Sequence, residues 1–494
     1  MTDLTVPITD RARLALAGRL REVAHALDVT LAPAGDDAAE DAALSLTALL
    51  GRLGAAPRAD EAWLIAAAIS TVLPSEEVVI ELLRRAELEP AAAVAEWLLD
   101  WALPAGRHGA LDATLLIAVD TVVVDVDFSA RTEHNTGVQR VVRRVLPHWL
   151  PAHDFVPVVG EGGSGIFRSL KPNEIARIER WDSDRSDAAT DASTTLVLPW
   201  HSILVLMEVP QESRLDGMRA LARFSGNRVS AVGYDVIPIS SRETVSAGEA
   251  NKFAKYLGVT KYLASVAGIS AAAAEEFAGF ASAVAAQGLA GPSVRAVVLP
   301  VDAPIERAGA ASTVPTRPMI LCVGSKEPRK NHVAVLFAAE RLWREGLEFD
   351  LRFIGSYGWN TTLFRRWAKR LRKAGRALHA PPTSGDSDLW SAYASARFTV
   401  FPSLHEGYGL PVAESLAFGV PVITTNYGST AEIAEGGGCL VVDPRDDEQL
   451  VTAMRTLLVD DATLERLRGE AGSRAARGWK EYADEAWTQL VEIV

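Results

Sequence analysis

Two glutamates that flank a glycine-rich segment give the strongest chemical signal in the chain. Glu406 and Glu414 enclose the run Gly-Tyr-Gly-Leu-Pro-Val-Ala. A strand is predicted to end at Pro402 and a helix to begin near Leu410, with Pro411 in its first turn, where the missing N–H costs no hydrogen bond. Such a helix start has unpaired N–H groups and a positive dipole end, which suit a phosphate, and glycine lets the backbone approach a ligand closely.

This arrangement predicts a site for a nucleotide or a sugar phosphate. One carboxylate would serve a transferred group, and the other would accept hydrogen bonds from ribose hydroxyls. The alternative is a structural turn with two surface glutamates, which the residues alone do not exclude.

A pair of adjacent cations forms the second signal. Arg329 and Lys330 follow a predicted strand and the loop residues Gly324 and Ser325. Cations are unfavourable at a helix start, so this pair calls for an anion. A bidentate arginine and a point-charge lysine suit a diphosphate. The alternative, a solvated basic turn, loses weight beside the first motif.

The first half of the chain adds further candidates. Thr136 and Gly137 open a predicted helix, where Gly137 would face a ligand across a cleft and Thr136 would cap the helix. Asp235 follows the predicted strand 229–232, and a carboxylate at the carboxyl end of a parallel strand faces such a cleft. Its alternative role is to fix a loop or to cap a helix.

A family resemblance rests on these residues. The segment from Glu406 to Glu414, followed by Ala-Phe-Gly-Val-Pro-Val-Ile at 417–423, resembles the signature of glycosyltransferase family 4, which comprises retaining sugar-nucleotide transferases of the GT-B fold. The resemblance covers the C-terminal half strongly and residues 116–300 more loosely, and it does not reach residues 1–110. It implies an α/β fold in which two doubly wound, Rossmann-like domains face a cleft.

The resemblance also implies roles for individual residues. Arg329 and Lys330 would neutralise the departing nucleoside diphosphate. Glu406 would support the transferring sugar, and Glu414 would bind the ribose. The predicted catalytic residues are Asp235, Arg329, Lys330 and Glu406. The predicted donor-binding residues are Thr136, Gly137, Gly324, Ser325, Arg329, Lys330, Gly358, Glu406, Gly407, Tyr408, Gly409, Leu410 and Glu414.

Finer features of the sequence suggest a sub-family. The run Thr-Gly-Val-Gln-Arg at 136–140 is similar to a first-domain loop of bacterial polysaccharide transferases, particularly those that use GDP-mannose or dTDP-rhamnose. Tyr-Asp-Val-Ile-Pro at 234–238 resembles a family segment near the reacting sugar and acceptor, so Asp235 would orient a hydroxyl group. Relatives often carry Ser-Glu where this chain has Ala267 and Gly268, which leaves the donor and acceptor contacts there open. Exposure and function are equally open for Arg140 and Arg143, which share one helix face.

No metal or other cofactor is expected. Asp125 and Asp127 form the Asp-x-Asp pattern that other transferases use to hold a divalent ion, but the same pattern recurs twice in this acidic chain. A metal is also redundant where two cations and a helix dipole stabilise the leaving group. The nucleoside-diphosphate sugar, linked to GDP, dTDP or UDP, is a donor substrate.

Composition sets the broad class. The chain has 494 residues and a formal net charge of −13, which disfavours a surface that binds nucleic acid as a whole. Its two cysteines stand in apolar runs, so they predict buried side chains and no disulfide framework. The longest apolar run, residues 62–73, falls short of the roughly 20 residues that cross a bilayer. A cytoplasmic protein is expected, with peripheral contact at the inner face of the membrane if its acceptor is lipid-linked.

Strands and helices alternate along the chain after residue 110, and these elements must position the site. Residues 1–110 show helical spacing and predict an all-α domain, with 34–41 as an exposed acidic link. Alternating strands and helices predict a parallel sheet in each α/β domain. The predicted boundaries are 111–305 for the acceptor-side domain, 306–476 for the nucleotide-sugar-binding domain and 477–494 for a C-terminal helix that could return to the first α/β domain. Residues 302–318 read as a linker by composition.

The resulting hypothesis is a retaining hexosyltransferase that moves mannose or rhamnose from a nucleotide sugar to a saccharide or lipid-linked saccharide in cell-surface polysaccharide synthesis. The alternatives are a GT-B hydrolase or epimerase of sugar nucleotides and a non-catalytic assembly scaffold. The N-terminal helices would pack on the first α/β domain, form a homo-oligomer or dock a partner, and amphipathicity does not decide among the three.

Overall fold

The N-terminal part of the protein is an all-α layer. The computed structural model describes residues 10–106, 110–133, 135–179, 195–301, 317–381, 385–475 and 477–493. Most of the predicted linker at 302–318 lies outside these ranges. The five N-terminal helices are α1 (Asp10–Ala26), α2 (Ala38–Ala55), α3 (Ala59–Ser70), α4 (Glu76–Leu88) and α5 (Ala91–Gly106).

Capping residues set where these helices begin. Ser75 precedes α4, which has Glu76 and Glu77 in its first turn, where carboxylates favour the positive end of the helix dipole. The Asp37 carboxylate accepts the first N–H groups of α2. Asp41 is buried and bonded to Arg21, so the expectation of a fully exposed acidic link at 34–41 is wrong at its C-terminal end. The arginine satisfies a carboxylate that the amphipathic helix turns inward.

The first α/β domain is built on a nine-stranded sheet with the order β1-β5-β4-β3-β2-β6-β7-β8-β9. Its strands are β1 (Thr114–Ala118), β2 (Val122–Asp125), β3 (Val156–Gly160), β4 (Phe167–Ser169), β5 (Thr195–Pro199), β6 (Ile203–Leu206), β7 (Arg228–Gly233), β8 (Ser265–Gly268) and β9 (Ser293–Ala296). Its helices are α6 (Asp127–Arg131), α7 (Gly137–Trp149), α8 (Pro172–Glu179), α9 (Leu215–Phe224), α10 (Ile237–Ser240), α11 (Glu249–Thr260) and α12 (Ala271–Ala285). The sheet is parallel except at β4, which runs antiparallel to both neighbours.

The second α/β domain has a fully parallel six-stranded sheet with the order β12-β11-β10-β13-β14-β15. Its strands are β10 (Met319–Val323), β11 (Asp350–Ile354), β12 (Leu378–His379), β13 (Phe398–Phe401), β14 (Val422–Thr425) and β15 (Cys439–Val442). Its helices are α13 (His332–Arg344), α14 (Thr362–Lys373), α15 (Asp386–Ser395), α16 (Leu410–Ala417), α17 (Gly428–Ala434), α18 (Asp447–Val459) and α19 (Asp461–Gly472).

This second sheet has the strand order of a doubly wound nucleotide-binding fold. The order reverses between β10 and β13, and a crevice for a ligand opens at the carboxyl ends of the strands on either side of such a reversal. The two predicted motifs follow these two strands. The expectation of two doubly wound domains with an added all-α region is therefore confirmed.

The end of the chain returns to the first α/β domain. Helix α20 (Trp479–Trp487) packs on α7, and the indole N–H of Trp149 donates to the carbonyl of Ala483 at 2.8 Å. His153 stacks on Trp487 with a ring separation of 3.8 Å. Aromatic packing thus holds α20 on the first α/β domain, although the chain before it belongs to the second.

Among the described residues, no helix combines the length and the apolar character that a membrane span needs. Cys322 is buried in β10 and Cys439 is partly buried in β15, and both are free thiols.

Candidate active site

The loops after β10 and β11 meet at the carboxyl edge of the second sheet. Gly324 has φ +136° and Gly355 has φ +138°, values that L side chains rarely adopt. A Cβ at Gly355 would lie 2.2 Å from the carbonyl oxygen of Gly324. These glycines therefore allow two loops to pass in contact, and they place the short turn Pro328–Lys330 beside the loop after β13.

That turn carries a cluster of paired charges. Arg329 Nη1 donates to Glu406 Oε2 at 2.7 Å, and Lys330 Nζ donates to Glu406 Oε1 at 2.6 Å. Arg329 Nη2 also donates to Glu327 Oε1 at 2.7 Å, and its Nη1 reaches the carbonyl of His405 at 2.8 Å. Two cations and two carboxylates thus interlock across the reversal point of the sheet.

Burial and charge act in opposite directions in this cluster. Burial alone would raise the pKa of Glu406, but the charges of Lys330 and Arg329 lower it to about 2. Burial alone would lower the pKa of Arg329, whereas the neighbouring Glu406 and Glu327 raise it. Burial lowers the pKa of Lys330, and Glu406 offsets part of that effect. The carboxylate is therefore ionised throughout the neutral range, as it must be to hold both cations.

The opposite wall comes from the first domain. Asp235 follows β7, and its carboxylate accepts the N–H of Ile237 at 3.1 Å. Burial raises the pKa of Asp235, and the charge of Arg329 opposes that shift. A Cβ at Gly407 would lie 2.3 Å from the carbonyl oxygen of Tyr234 and 3.2 Å from Cβ of Asp235. The glycine therefore lets the loop after β13 contact the Asp235 segment directly.

A second contact across the cleft joins the starts of α7 and α16. A Cβ at Gly137 would lie 3.4 Å from Cδ1 of Leu410. Arg140 Nη1 donates to Glu414 Oε1 at 2.5 Å, and Tyr393 Oη donates to the other oxygen of Glu414 at 2.9 Å. Glu414 is 3% exposed, so its carboxylate is shielded from solvent, whereas the Arg140 side chain of this pair between the two domains is partly exposed.

Hydrogen bonds at the start of α7 and near α17 hold the flanking loops. The carboxamide oxygen of Gln139 accepts the N–H of Thr136 at 3.2 Å. The hydroxyl of Ser429 donates to the carbonyl of Glu406 at 2.8 Å. These contacts fix the loops on both sides of the cleft.

A cavity of about 340 Å³ lies between the two walls. Cations, carboxylates, glycines and a helix start from both domains converge on it, which is the setting expected for a polar ligand of small-molecule size. At the start of α16, Pro411 has no N–H, and the N–H groups of Val412 and Ala413 bond the carbonyl of Gly409 at 2.9 and 3.3 Å, so this end contributes mainly the positive end of its helix dipole.

Comparison with known proteins gives a family match for one side of this site. Residues 307–474 match the family described as glycosyl transferases group 1. This segment of the C-terminal α/β domain is therefore similar to the group 1 glycosyltransferases.

Relatives with named activities match parts of the chain. The serotype-specific mannosyltransferase WbdA of Escherichia coli is 24% identical over 333 residues, which make up 64% of this chain and 40% of that protein. The O-antigen chain mannosyltransferase B of Escherichia coli is 36% identical over 145 residues, 29% of this chain and 37% of that protein. The chain thus spans about two fifths of the length of these relatives.

Solved structures show the same fold at low sequence identity. The chain superposes on Anabaena Alr3699/HepE in complex with UDP and glucose with a TM-score of 0.52 and 10% identity, covering 75% of this chain and 99% of that one. This likeness supports the GT-B fold, in which two α/β domains face each other.

Most of the predicted site residues line the cavity. They are Thr136, Gly137, Asp235, Arg329, Lys330, Glu406, Gly407, Tyr408, Gly409, Leu410 and Glu414. Gly324, Ser325 and Gly358 do not line it. Gly324 lies behind Lys330, and Gly358 lies against Glu327, where a Cβ would be 3.1 Å from Oε2. Both glycines therefore lie next to the charged cluster and outside the cavity lining.

The structure decides several points that the sequence left open. Arg143 is buried, and its guanidinium donates to the carbonyl oxygens of Ser129 and Thr132, so neither it nor the paired Arg140 is simply exposed. Asp125 and Asp127 both pair with Arg214, at 3.0 Å and 3.5 Å. An internal arginine thus neutralises the Asp-x-Asp pair.

The site also contains residues that the sequence analysis does not predict. Leu389 and Pro411 line the cavity, and Tyr393 holds Glu414. Glu327 pairs with Arg329, and His405 reaches into the first domain. Glu327 and His405 adjoin recognised motifs, which is a usable signal. Nothing in the local sequence of α15 marks Leu389 or Tyr393, because only the tertiary fold brings α15 to the cleft.

Proposed function

We propose that the protein is a retaining glycosyltransferase that moves a hexose, with mannose or rhamnose favoured, from a nucleoside-diphosphate sugar to a saccharide acceptor in cell-surface polysaccharide synthesis. The observation that carries the proposal is the cluster of Arg329, Lys330 and Glu406 at the reversal point of the second sheet, facing Asp235 of the first domain across one cavity.

The charge balance of the cluster suits a diphosphate that arrives and leaves. Arg329 and Lys330 are matched by Glu406 and Glu327 in the structure. A diphosphate must therefore compete with these carboxylates for the cations, and the positive dipole end of α16 favours its charge. Because the cations are already held in place by the carboxylates, little reorganisation is needed when charge develops on the leaving group.

The reaction assigns a role to each wall. The bond between the anomeric carbon and the diphosphate oxygen breaks, a bond to the acceptor oxygen forms on the same face of the sugar, and the hydroxyl proton passes to the departing diphosphate. Arg329 and Lys330 stabilise the departing diphosphate, and Asp235 orients a hydroxyl of the acceptor or of the sugar. Glu406 supports the sugar and holds the cations, while Glu414 binds the ribose. Closure of the two walls excludes water, which would otherwise hydrolyse the donor.

The sugar and the acceptor are proposed from the relatives. The names of the Escherichia coli relatives specify mannose transfer and O-antigen chains. The similarity of 136–140 to loops of transferases that use GDP-mannose or dTDP-rhamnose agrees with those names. No metal is required in this proposal, because Arg214 occupies the Asp-x-Asp carboxylates. A lipid-linked acceptor would bring the protein to the inner face of the membrane.

The test begins with donor binding. Thermal shifts with UDP-, GDP- and dTDP-sugars should identify one base by a raised Tm, since a ligand that binds the folded state stabilises it. Product analysis should then show a new glycosidic bond with the donor's anomeric configuration retained. Donor consumption without any acceptor would instead indicate a hydrolase or epimerase, and the absence of any thermal shift would favour a scaffold.

Arg329→Ala tests the cation cluster. We expect kcat/KM to fall by about 100-fold or more, because a charged contact to the leaving group is lost. Arg344→Ala is the matched control, since Arg344 lies on α13 of the same domain, is largely exposed and pairs with Glu340. Turnover by Arg329→Ala at the wild-type rate would refute the assignment.

A further inference from the structure

His405 joins the two α/β domains beside the proposed site. It follows β13 and precedes Glu406, yet its side chain contacts the first domain. Its Nδ1 lies 2.7 Å from Oγ of Ser241, and its Nε2 lies 3.0 Å from Oε1 of Glu276 on α12. One imidazole therefore bridges two elements of the opposite domain.

These two partners concern the segment that follows Asp235: Glu276 holds that segment, and Ser241 belongs to it. Glu276 accepts the N–H of Val236 at 3.3 Å and the hydroxyl of Ser240 at 3.1 Å. Ser241 comes directly after Ser240, at the end of α10. The segment 236–241 is thus hydrogen-bonded to Glu276 of α12 and to His405. Asp235 directly precedes this segment in the chain.

The backbone of His405 is tied to the cation cluster. Its carbonyl accepts a hydrogen bond from Arg329 at 2.8 Å, and Arg329 also binds Glu406. A single residue therefore contacts the leaving-group side through its main chain and the Asp235 side through its imidazole. These contacts exist together only when the two domains face each other as they do here.

We propose that His405 is a positioning residue that couples closure of the cleft to the placement of Asp235. This inference rests on the proposed function. When the domains close, the imidazole bonds Ser241 and Glu276 and so fixes the segment that orients Asp235 toward the reacting hydroxyl. When they open, that segment loses its support from the second domain.

The charges around the imidazole make the coupling depend on pH. Glu276 faces it from α12, Asp235 from the loop after β7 and Glu406 from its own loop, while Arg329 binds its carbonyl. The hydrogen bond to Glu276 raises the pKa of His405, and burial opposes that effect. A raised pKa means that the charged contact is present at lower pH and is lost as the pH rises through that pKa. Turnover should therefore decline on the alkaline side.

The experiment compares His405→Ala, His405→Gln and Glu276→Gln in the full chain. Readouts are kcat and KM for transfer from pH 6 to 9, and calorimetric Kd of the nucleoside diphosphate that the thermal-shift screen selects. His405→Ala should lower kcat about 10-fold or more, with Kd within about twofold of wild type, because the donor subsite is intact. His405→Gln should restore part of kcat through its amide but show no alkaline decline.

Glu276→Gln should move the alkaline decline to lower pH, since the group that raises the pKa of His405 is gone. The matched control is His201→Gln, which removes a 2.7 Å contact between His201 and Asp60 at a different interface. It should leave kcat and the pH profile unchanged.

An alkaline decline that persists in His405→Gln, or wild-type kcat in His405→Ala, would overturn the proposal. If Glu276→Gln fails to fold, Ser241→Ala provides the second measurement, and it should lower kcat without changing Kd. Failure of the wild-type protein to bind any nucleoside diphosphate or to transfer sugar would count against the proposed function instead, so the two outcomes are distinct.

Discussion

The first α/β domain has two neighbours, and it contacts them by different means. Against the N-terminal helices it shares one continuous apolar core, in which Trp63, Leu73 and Met218 are buried together with residues of β5 and β6. Against the C-terminal α/β domain it also shares a buried apolar cluster, which includes Phe401 and Tyr408, but a cavity of about 340 Å³ lies within this interface. The helices therefore pack on the first domain, which is one of the three arrangements that the sequence left open.

The polar contacts at the two interfaces also differ. Arg19, 2% exposed, donates to the carbonyls of Ala68, Leu111 and Ala113 and so ties α1 and α3 to the chain leading into β1. Across the cleft, Ser270 donates to the carbonyl of Gly407 at 2.7 Å and Tyr408 to that of Leu299 at 2.7 Å. Hydrogen bonds to water can replace these at little net cost, about 1 kcal/mol each, and the cavity leaves part of the interface across the cleft without packed side chains. We infer that the helical interface is permanent and that the cleft opens to admit the donor.

Gly407→Ala should give the largest effect, and it acts on the cleft alone. The added Cβ would meet the carbonyl oxygen of Tyr234 at 2.3 Å, so the loop after β13 must move away from Asp235. A displacement of this size costs about 100-fold in kcat/KM, because the two walls no longer align. Steady-state kinetics measure this loss, and small-angle scattering should show a more open particle.

The control for that substitution is Gly469→Ala. Gly469 lies in α19 of the same domain, and a Cβ there meets nothing within 4 Å. Alanine in a helix is favoured over glycine by about 1 kcal/mol, so this variant should keep its activity and become slightly more stable. Equal activity of the two glycine variants would show that the backbone at Tyr234 moves easily to accommodate the added Cβ. Close contact across the cleft would then not be required for catalysis.

Gly217→Ala is the matching change at the helical interface. Gly217 lies in α9, and a Cβ there would be 2.5 Å from Cβ of Leu73 and 2.9 Å from its carbonyl oxygen. The clash should exceed the helix-propensity gain and lower the free energy of unfolding by about 1–3 kcal/mol. Chemical denaturation measures this change. If the helical interface is remote from catalysis, kcat/KM of the folded enzyme stays within about twofold of wild type.

The chemistry of the site was more predictable than its geometry. Arg329, Lys330 and the Glu406 to Glu414 segment stand at turns between strands and helices, where residue type and helix-start physics are local signals. Their mutual pairing is a long-range fact, and so is the contact of Arg140 with Glu414, which lies 274 residues further along the chain. Such pairs depend on how the two domains face each other, and the hydrophobic periodicity of a single segment does not indicate that arrangement.

Several strands of both sheets have no clear local signal in the sequence. The strands β3, β4, β6, β8 and β12 were not predicted, and β12 has only two residues. The strand β8, Ser-Val-Ala-Gly, lacks the β-branched run that marked β2. By contrast, the sequence marks both ends of β15, because Cys-Leu-Val-Val follows a glycine turn and precedes an aspartate. The antiparallel β4 has no local signature, since its direction depends on pairing with β3 and β5.

Acid titration should give the smallest effect, and it separates the two interfaces by their carboxylates. The unfolded chain binds a proton at Glu406 near pH 4.5, whereas Lys330 and Arg329 lower the folded pKa to about 2. The stability from this group is therefore full above the unfolded value and is lost as the pH falls toward the folded one. Between pH 5 and 3.5 we expect a loss of about 1 kcal/mol in the free energy of unfolding.

Urea denaturation at several pH values measures that slope. Glu406→Gln lowers stability at neutral pH, because two buried cations lose their partner, but its slope below pH 5 should be shallower than that of wild type.

Asp60→Asn tests the helical interface. Arg58 and His201 lower the pKa of Asp60 against the effect of burial, yet Arg58 is 58% exposed, so water screens the contact. The slope should therefore change less in Asp60→Asn than in Glu406→Gln. Equal slopes in the two variants would show that the ion pairs of Glu406 beside the cleft contribute no more to acid sensitivity than the contacts of Asp60 at the helical interface.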